Sequence, residues 1–356
     1  MTQNTTLSEN ELIRYNRQIR LPEIGWQGQE KIKESAVLVV GAGALGCAAL
    51  QYLASAGVGT IGIIDNDWVD ESNLQRQVLY TINDIGKPKP LAAKDKLALL
   101  NPEVIYNTYF ERLNKVSALN IISAYDIIVD CSDNFATRYL INDASVILNK
   151  PLVYGEILKF TGQMIVLNYR NGPTLRCLCP DSPHPLEIPT CAETGVLGSI
   201  AGTIGSLQAT EVIKIILNQE GVLSGKLLSI DFLNFNTQLV PFDRDPENSI
   251  VKTLGDYEDL CLSDKDSVNE ISFEELKKML AIDPDVIVID LREKEEISDI
   301  GFDCISIPYY EISEHMLLIL SGKTVVFYCK YGIRSMYVIK YLEKIHNKEN
   351  LFNLVL

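Results

Sequence analysis

Two groups of residues have the types and spacing that phosphate and sulfur chemistry require. In "VLVVGAGALG", Gly41, Gly43 and Gly46 form G-x-G-x-x-G directly behind an apolar β-branched run and ahead of a helix-like segment. Glycines there permit a tight turn and let backbone N–H groups approach a phosphate at the helix N-terminus. Asp65 lies 19 residues past Gly46, at the end of the next apolar run, where a carboxylate meets ribose hydroxyls. Alone, this pattern implies a nucleotide, most often a dinucleotide. In "FYCKYGIRS", Cys329 closes an apolar run, Gly332 lies in the loop and Arg334 opens a helix-like segment. Loop N–H groups, a helix dipole and an arginine favour a thiolate, so Cys329 reads as a nucleophile rather than an inert core thiol.

The residues after Asp65 exceed what a dinucleotide needs. "DNDWVDESNLQRQ" brings Asn73, Arg76 and Gln77, and "DIGKPKP" adds Lys87 and Lys89 on a proline-stiffened loop. The pyrophosphate of NAD needs little beyond a helix N-terminus, whereas a triphosphate calls for Arg, Lys and Mg²⁺ around it. In "VDCSDN", Asp130 and Asp133 end another strand, at the edge where open α/β sheets bind ligands. A carboxylate there can hold Mg²⁺ through one or two oxygens.

These residues need a frame, and the rest of the chain supplies one. The length of 356 residues fits two domains. Short β-branched runs ("AVLVV", "TIGIID", "DIIVDC", "PLVYGEI") alternate with helix-like segments, which implies α/β architecture with a parallel sheet. From Arg244 the text turns polar and acidic, so residues 244–270 read as a linker between a first domain, 1–243, and a second α/β series, 271–356. Ser272 and Glu275 mark a capped helix at the start of that series. The net charge of −15 argues against nucleic acid. No apolar run reaches the ~20 residues of a membrane span, and the polar N-terminus lacks a signal core; the expected location is the cytoplasm. Eight cysteines in so long a chain are not a disulfide scaffold. Cys47, Cys131 and Cys304 stand in apolar contexts and read as small buried residues.

"YNRQ" at Tyr15–Gln18, "GAGALG", "SNLQRQ", "GKPK", "CSDN" and "GSLQATEVIK", in that order, resemble the MoeB/ThiF family, relatives of ubiquitin-activating enzymes, from about Glu11 to Phe242. The resemblance implies a Rossmann-like adenylation domain that uses MgATP to adenylate the C-terminal Gly-Gly of a ubiquitin-like sulfur-carrier protein. Carried onto this chain, Gly41, Ala42, Gly43 and Gly46 approach phosphate. Asp65 holds ribose, and Asp67, Ser72 and Gln77 complete the nucleotide site. Asn73 and Arg76 meet the phosphates, and Lys89 stabilises charge on the reacting phosphoryl group. Asp133, beside Asn134, holds Mg²⁺. Arg17 matches an arginine that reaches the ATP site of the other subunit in homodimers; a surface salt bridge is its plainer reading.

Many members of the family hold a structural Zn²⁺ with two C-x-x-C pairs. Here "PTLRCLCP" has Thr174 at the first position and Cys177 at the second, and "RDPENSIV" has no cysteine. The expectation is that this zinc is absent, with a site improvised from Cys177, Cys179, Cys261 or His184 as the alternative. Cys191, in "IPTCAETGVLGS", matches a cysteine that joins the activated carrier as thioester or acyl-disulfide; an incidental thiol is its alternative.

From Ile271 to Leu356 the chain resembles a rhodanese, through "VIVIDLREKEE", with Asp290 and Arg292, and C-x-x-G-x-R-S itself. Phosphatases of similar design have one more loop residue, and the narrower loop suits a sulfur atom. "DIGFDCISIP" replaces the usual "GHIPGA", and "NLVL" stands where a Gly-rich end is usual. The two resemblances together imply that Cys329 persulfide, charged by a donor such as a cysteine desulfurase, attacks the acyl-adenylate to give a thiocarboxylate for molybdopterin, thiamine or thiolated-tRNA synthesis. Three alternatives remain: an activator of a ubiquitin-like modifier or peptide with a regulatory second domain, an NAD-dependent oxidoreductase, and a carrier-binding scaffold.

Overall fold

A computed structural model describes residues 7–180, 195–255, 257, 268–292, 296, 301–322, 324–329 and 332–355. They form two compact units, the first reaching Tyr257.

The first unit begins with helices α1 (Glu9–Ile19) and α2 (Gly25–Glu34). Ser8 and Glu11 cap α1 reciprocally: the Ser8 hydroxyl accepts the Glu11 N–H, and the Glu11 carboxylate accepts the Ser8 N–H. Then follow β1 (Ala36–Val40), α3 (Ala44–Ala56), β2 (Thr60–Ile64), α4 (Lys89–Leu100), β3 (Ile105–Tyr109), α5 (Ala118–Ser123), β4 (Ile127–Asp130), α6 (Phe135–Ile147) and β5 (Leu152–Leu158). These five strands are parallel, in the order β3-β2-β1-β4-β5. Covered on both faces, β4 is buried throughout and β1 nearly so, which is why both read as unbroken apolar runs. Three antiparallel strands extend the sheet beyond β5: β6 (Thr161–Leu167), β7 (Lys226–Asp231) and β8 (Asn236–Pro241). Between β6 and β7 lie the short α7 (Leu175–Leu178) and the long α8 (Gly198–Ile216). Helices α3 and α8 touch backbone to backbone: a Cβ at Gly205 would sit 2.3 Å from the Leu45 carbonyl oxygen.

The second unit is a five-stranded parallel sheet, ordered β11-β10-β12-β13-β9. Its elements are β9 (Glu270–Ile271), α9 (Phe273–Ile282), β10 (Ile287–Asp290), β11 (Ile305–Ser306), α10 (Met316–Ser321), β12 (Val325–Tyr328), α11 (Ile333–His346) and β13 (Leu351–Leu354). Ser272 caps α9 with Glu275, as its sequence implies. Along β12, Val325 and Phe327 enter one apolar cluster, and Val326 and Tyr328 the other, so the sheet has a core on each face.

Of the residues expected in the linker, those up to Tyr257 belong to the first unit. Ser249, Leu254 and Tyr257 are buried in the first unit. The polar text misleads because this segment satisfies its own backbone: the Asp245 carboxylate accepts the N–H groups of Glu247 and Asn248. Tyr257 then donates its hydroxyl to Asp143 at 2.5 Å. Among the described residues, no helix is long and apolar enough to cross a membrane.

Candidate active site

Strand β1 continues to β2 on one side and borders β4 on the other, so a crevice opens at their C-terminal ends. The glycine turn lies there. Gly41 has φ 94°, and a Cβ on it would stand 2.6 Å from the Cys131 carbonyl oxygen at the end of β4. A Cβ on Gly46 would stand 2.0 Å from the Gly41 oxygen. Gly43 caps α3, so the first-turn N–H groups of α3 are available to an anion. One Asp65 oxygen accepts the Ala42 N–H at 2.7 Å and the other accepts the Asp67 N–H at 2.8 Å. Asp65 therefore braces the turn, with lone pairs left over for a hydroxyl. Burial pushes its carboxyl pKa up, against the opposing charge of Lys89.

Lys89 opens α4 and is almost fully buried, its Nζ 2.9 Å from the exposed carboxylate of Asp67. Tyr80, which the sequence reading missed, binds this loop to the turn: its hydroxyl donates to the Ala42 oxygen at 2.8 Å and lies 3.4 Å from that of Lys89. Asp84 holds the intervening loop, accepting from the Thr81 N–H and hydroxyl and from Lys87 and Lys96.

Arg76 is half-buried; its Nη1 donates to the Ser72 oxygen at 3.2 Å. Gly198 at the start of α8 packs on it, since a Cβ there would lie 2.6 Å from the Gln75 oxygen and 2.9 Å from the Arg76 Cα. Gln77 is buried, donates to Asn73 Oδ1 at 2.7 Å, and faces Gly43. Gln77 Oε1 and Asp130 Oδ2 are buried without a hydrogen-bond partner, the condition a bound ligand relieves. Asp130 Oδ1 accepts from the Ser132 N–H and hydroxyl, and burial raises the Asp130 pKa. Asp133 is exposed, and Asn134 caps α6 by accepting the Thr137 N–H. Gln208 on α8 donates to the Asp130 and Val153 oxygens, clamping β4 to β5. Arg17 lies on α1, exposed and without a side-chain partner among the described residues.

Cys47 and Cys131 are buried; burial pushes the Cys47 pKa up to about 12 and that of Cys131 well above its usual value. Cys304 is half-buried. Cys191, Cys261 and His184 lie outside the described residues.

In the second unit, Cys329 follows β12 and is 3 % exposed. Its Sγ lies 3.3 Å from the Ser335 hydroxyl, which donates to Asn353 Oδ1 at 2.6 Å. Asn353 in turn donates to the Gly332 oxygen at 3.2 Å, so a β13 residue ties Gly332 and Ser335 together. Gly332 caps α11 with φ 72°, a conformation that favours glycine. Arg334 pairs with Glu296 through both guanidinium nitrogens. Asp290 and Arg292 form a second, nearly buried pair beneath the Tyr328 ring.

Residues 15–250 match the ThiF family. The "Adenylyltransferase and sulfurtransferase MOCS3" of Culex quinquefasciatus is 43% identical over 326 residues, spanning 86% of this chain and 74% of that one. The "Sulfur carrier protein adenylyltransferase" of Thermus thermophilus is 45% identical over 265 residues, 71% of this chain and 98% of that one. Among solved structures, E. coli MccB with ATP superposes with TM-score 0.56 at 21% identity, covering 65% of this chain and 74% of that one, and shares the fold of the first unit.

Proposed function

Because this chain belongs to the ThiF family, we propose that its first unit adenylates the C-terminal Gly-Gly carboxylate of a ubiquitin-like sulfur carrier and that its second unit supplies the sulfur. The chain is an adenylyltransferase and a sulfurtransferase, as its relatives are named. The observation that carries the reading is the charge at the crevice. Lys89 beside Asp65 and Asp67, with Arg76 against α8, exceeds what a dinucleotide pyrophosphate asks of a glycine turn.

The carrier carboxylate attacks the α-phosphate of ATP and pyrophosphate leaves. The nucleophile is already an anion, so no base is needed; the protein must align two negative reactants and offset charge on the leaving group. The α3 N-terminus cradles phosphate, Arg76 and Lys89 supply positive charge, and Asp65 takes the ribose. Asp133, exposed three residues past Asp130, whose Oδ2 is buried without a hydrogen-bond partner, suits Mg²⁺, which would neutralise phosphate charge. Arg17, exposed on α1, serves the partner's site in a homodimer.

Cys329 carries a persulfide from an upstream donor such as a cysteine desulfurase. Its outer sulfur attacks the acyl-adenylate, AMP leaves, and an acyl-disulfide forms on Cys329. Attack by Cys191 on the Cys329 sulfur releases the thiocarboxylate and leaves a Cys191–Cys329 disulfide, which an external dithiol reduces. The product serves molybdopterin or thiolated-tRNA synthesis in the cytoplasm. The chain does this without structural zinc.

The test is ATP–pyrophosphate exchange with a carrier ending in Gly-Gly. Exchange that needs the carrier and is lost in Arg76→Ala and Lys89→Ala supports the reading; no exchange refutes it. Cys329→Ala should keep exchange and lose thiocarboxylate.

A further inference from the structure

The locus where the resemblance implies zinc has a donor set that does not suit it. A structural zinc is bound by four strong donors, here expected as thiolates. Among the described residues the locus offers one thiol, Cys177, with the hydroxyls of Thr174 and Ser249 around it. We propose that this locus is a metal-free clasp, in which Cys177 Sγ gathers hydrogen bonds from two chain segments and fastens residues 244–257 to the adenylation unit. The proposal rests on the zinc-free reading above and says what replaces the metal.

The geometry is specific. Thr174, fully buried, donates its N–H to Cys177 Sγ at 3.3 Å, and its hydroxyl lies 3.4 Å away. From the other segment, the Asp245 N–H donates to the same sulfur at 3.3 Å, and the Ser249 hydroxyl lies 3.2 Å from it. Thr174 also donates to the Asn248 oxygen at 3.4 Å. The defined donors to the sulfur are the two backbone N–H groups, since the Thr174 hydroxyl donates to the Asn248 oxygen and the Ser249 hydroxyl to the Asp245 oxygen. Burial pushes the Cys177 pKa up, but its contacts with Ser249, Thr174 and Asp245 together leave it lowered. Arg244 donates to the Gly172 oxygen at 3.0 Å. The far end is held from the same short helix. Arg176 grips Asp143 through two bonds of 2.8 and 2.7 Å, and the Asp143 carboxylate takes the Tyr257 hydroxyl. The segment is therefore held at both ends around α7, by Asp245 and Ser249 at one and by Tyr257 at the other.

The full chain is purified, its zinc measured, and its Tm followed with and without EDTA; limited proteolysis reads cleavage within 244–257. The expected result is no stoichiometric zinc, a Tm indifferent to EDTA, and a fall of about 4 °C or more with faster cleavage in Cys177→Ala. Cys177→Ser, which keeps a hydrogen-bonding atom, should lose less. Should Cys177→Ala not fold, Ser249→Ala and Tyr257→Phe, each lacking one hydroxyl, should show the faster cleavage. Stoichiometric zinc would overturn the proposal, as would wild-type Tm and cleavage in every variant. Carrier-dependent exchange by the wild-type chain judges the adenylation reading separately.

Discussion

Arg334 and Glu296 are joined at both prongs of their planar groups, with Nη1 to Oε2 and Nη2 to Oε1 each 2.7 Å. The arginine of the cysteine loop is thus tied to the segment after β10, and its Nη1 also reaches the Leu291 oxygen at 3.4 Å. Its charge is matched, and the pair fastens the first turn of α11 to Glu296 and Leu291.

Glu296→Gln should break this pairing. Both side chains keep some solvent contact, so the cost is about 1–2 kcal/mol, below that of a fully buried pair. Transfer of sulfur from thiosulfate to cyanide should fall about tenfold, while carrier-dependent pyrophosphate exchange stays unchanged. Unchanged sulfur transfer would show that the ion pair does not shape the loop.

Gly46→Ala places a methyl 2.0 Å from the Gly41 oxygen, a backbone atom that cannot step aside alone. The turn must move, at a cost of about 1–3 kcal/mol. ATP binding by calorimetry should become undetectable, while circular dichroism should report an intact fold.

Tyr80→Phe removes the hydroxyl that joins the Ala42 oxygen to the Lys89 loop. The loss is about 1 kcal/mol. The KM for ATP in the exchange assay should rise about fivefold at this cost, with a smaller change in kcat.

Asp84 is held well below the usual carboxylate range: burial opposes ionisation, but bonds from Lys96, Thr81 and Lys87 outweigh it. A depressed pKa gives stability that is present above the unfolded value of about 3.9 and is lost as pH falls through the folded one. Acid should therefore loosen the loop carrying Lys89. In Asp84→Asn, Tm at pH 7 should fall, and the difference from wild type should shrink below pH 4.

The turn, Asp65 and the alternation of strands with helices were legible because each is a local pattern: glycines behind an apolar run, a carboxylate after the next one, helix and strand periods between. Tyr80, Gln208 and Gly198 were not, because their roles arise where distant segments meet. Nothing around Tyr80 announces that its hydroxyl will reach Ala42, and Gly198 needs its missing Cβ only because Arg76 lies against it. The segment after Arg244 misled for the converse reason. It lacks periodicity, yet its polar groups are consumed by its own turn and by Cys177, leaving Leu254 and Tyr257 to bury. Edge strand β3 escaped notice because "IYNTY" is half polar.

In the second sheet, β13 pairs with β12 on one side and with β9 on the other, so Leu354 lies beside Ile271. The first strand of that unit finds its neighbour only when Leu351–Leu354 has been made. During synthesis the first unit, which reaches Tyr257, is able to fold early, while Gly332 and Ser335 wait for the strand whose Asn353 ties them. Nascent chains would thus pass through a stage in which the first unit is folded and the surroundings of Cys329 are not yet built.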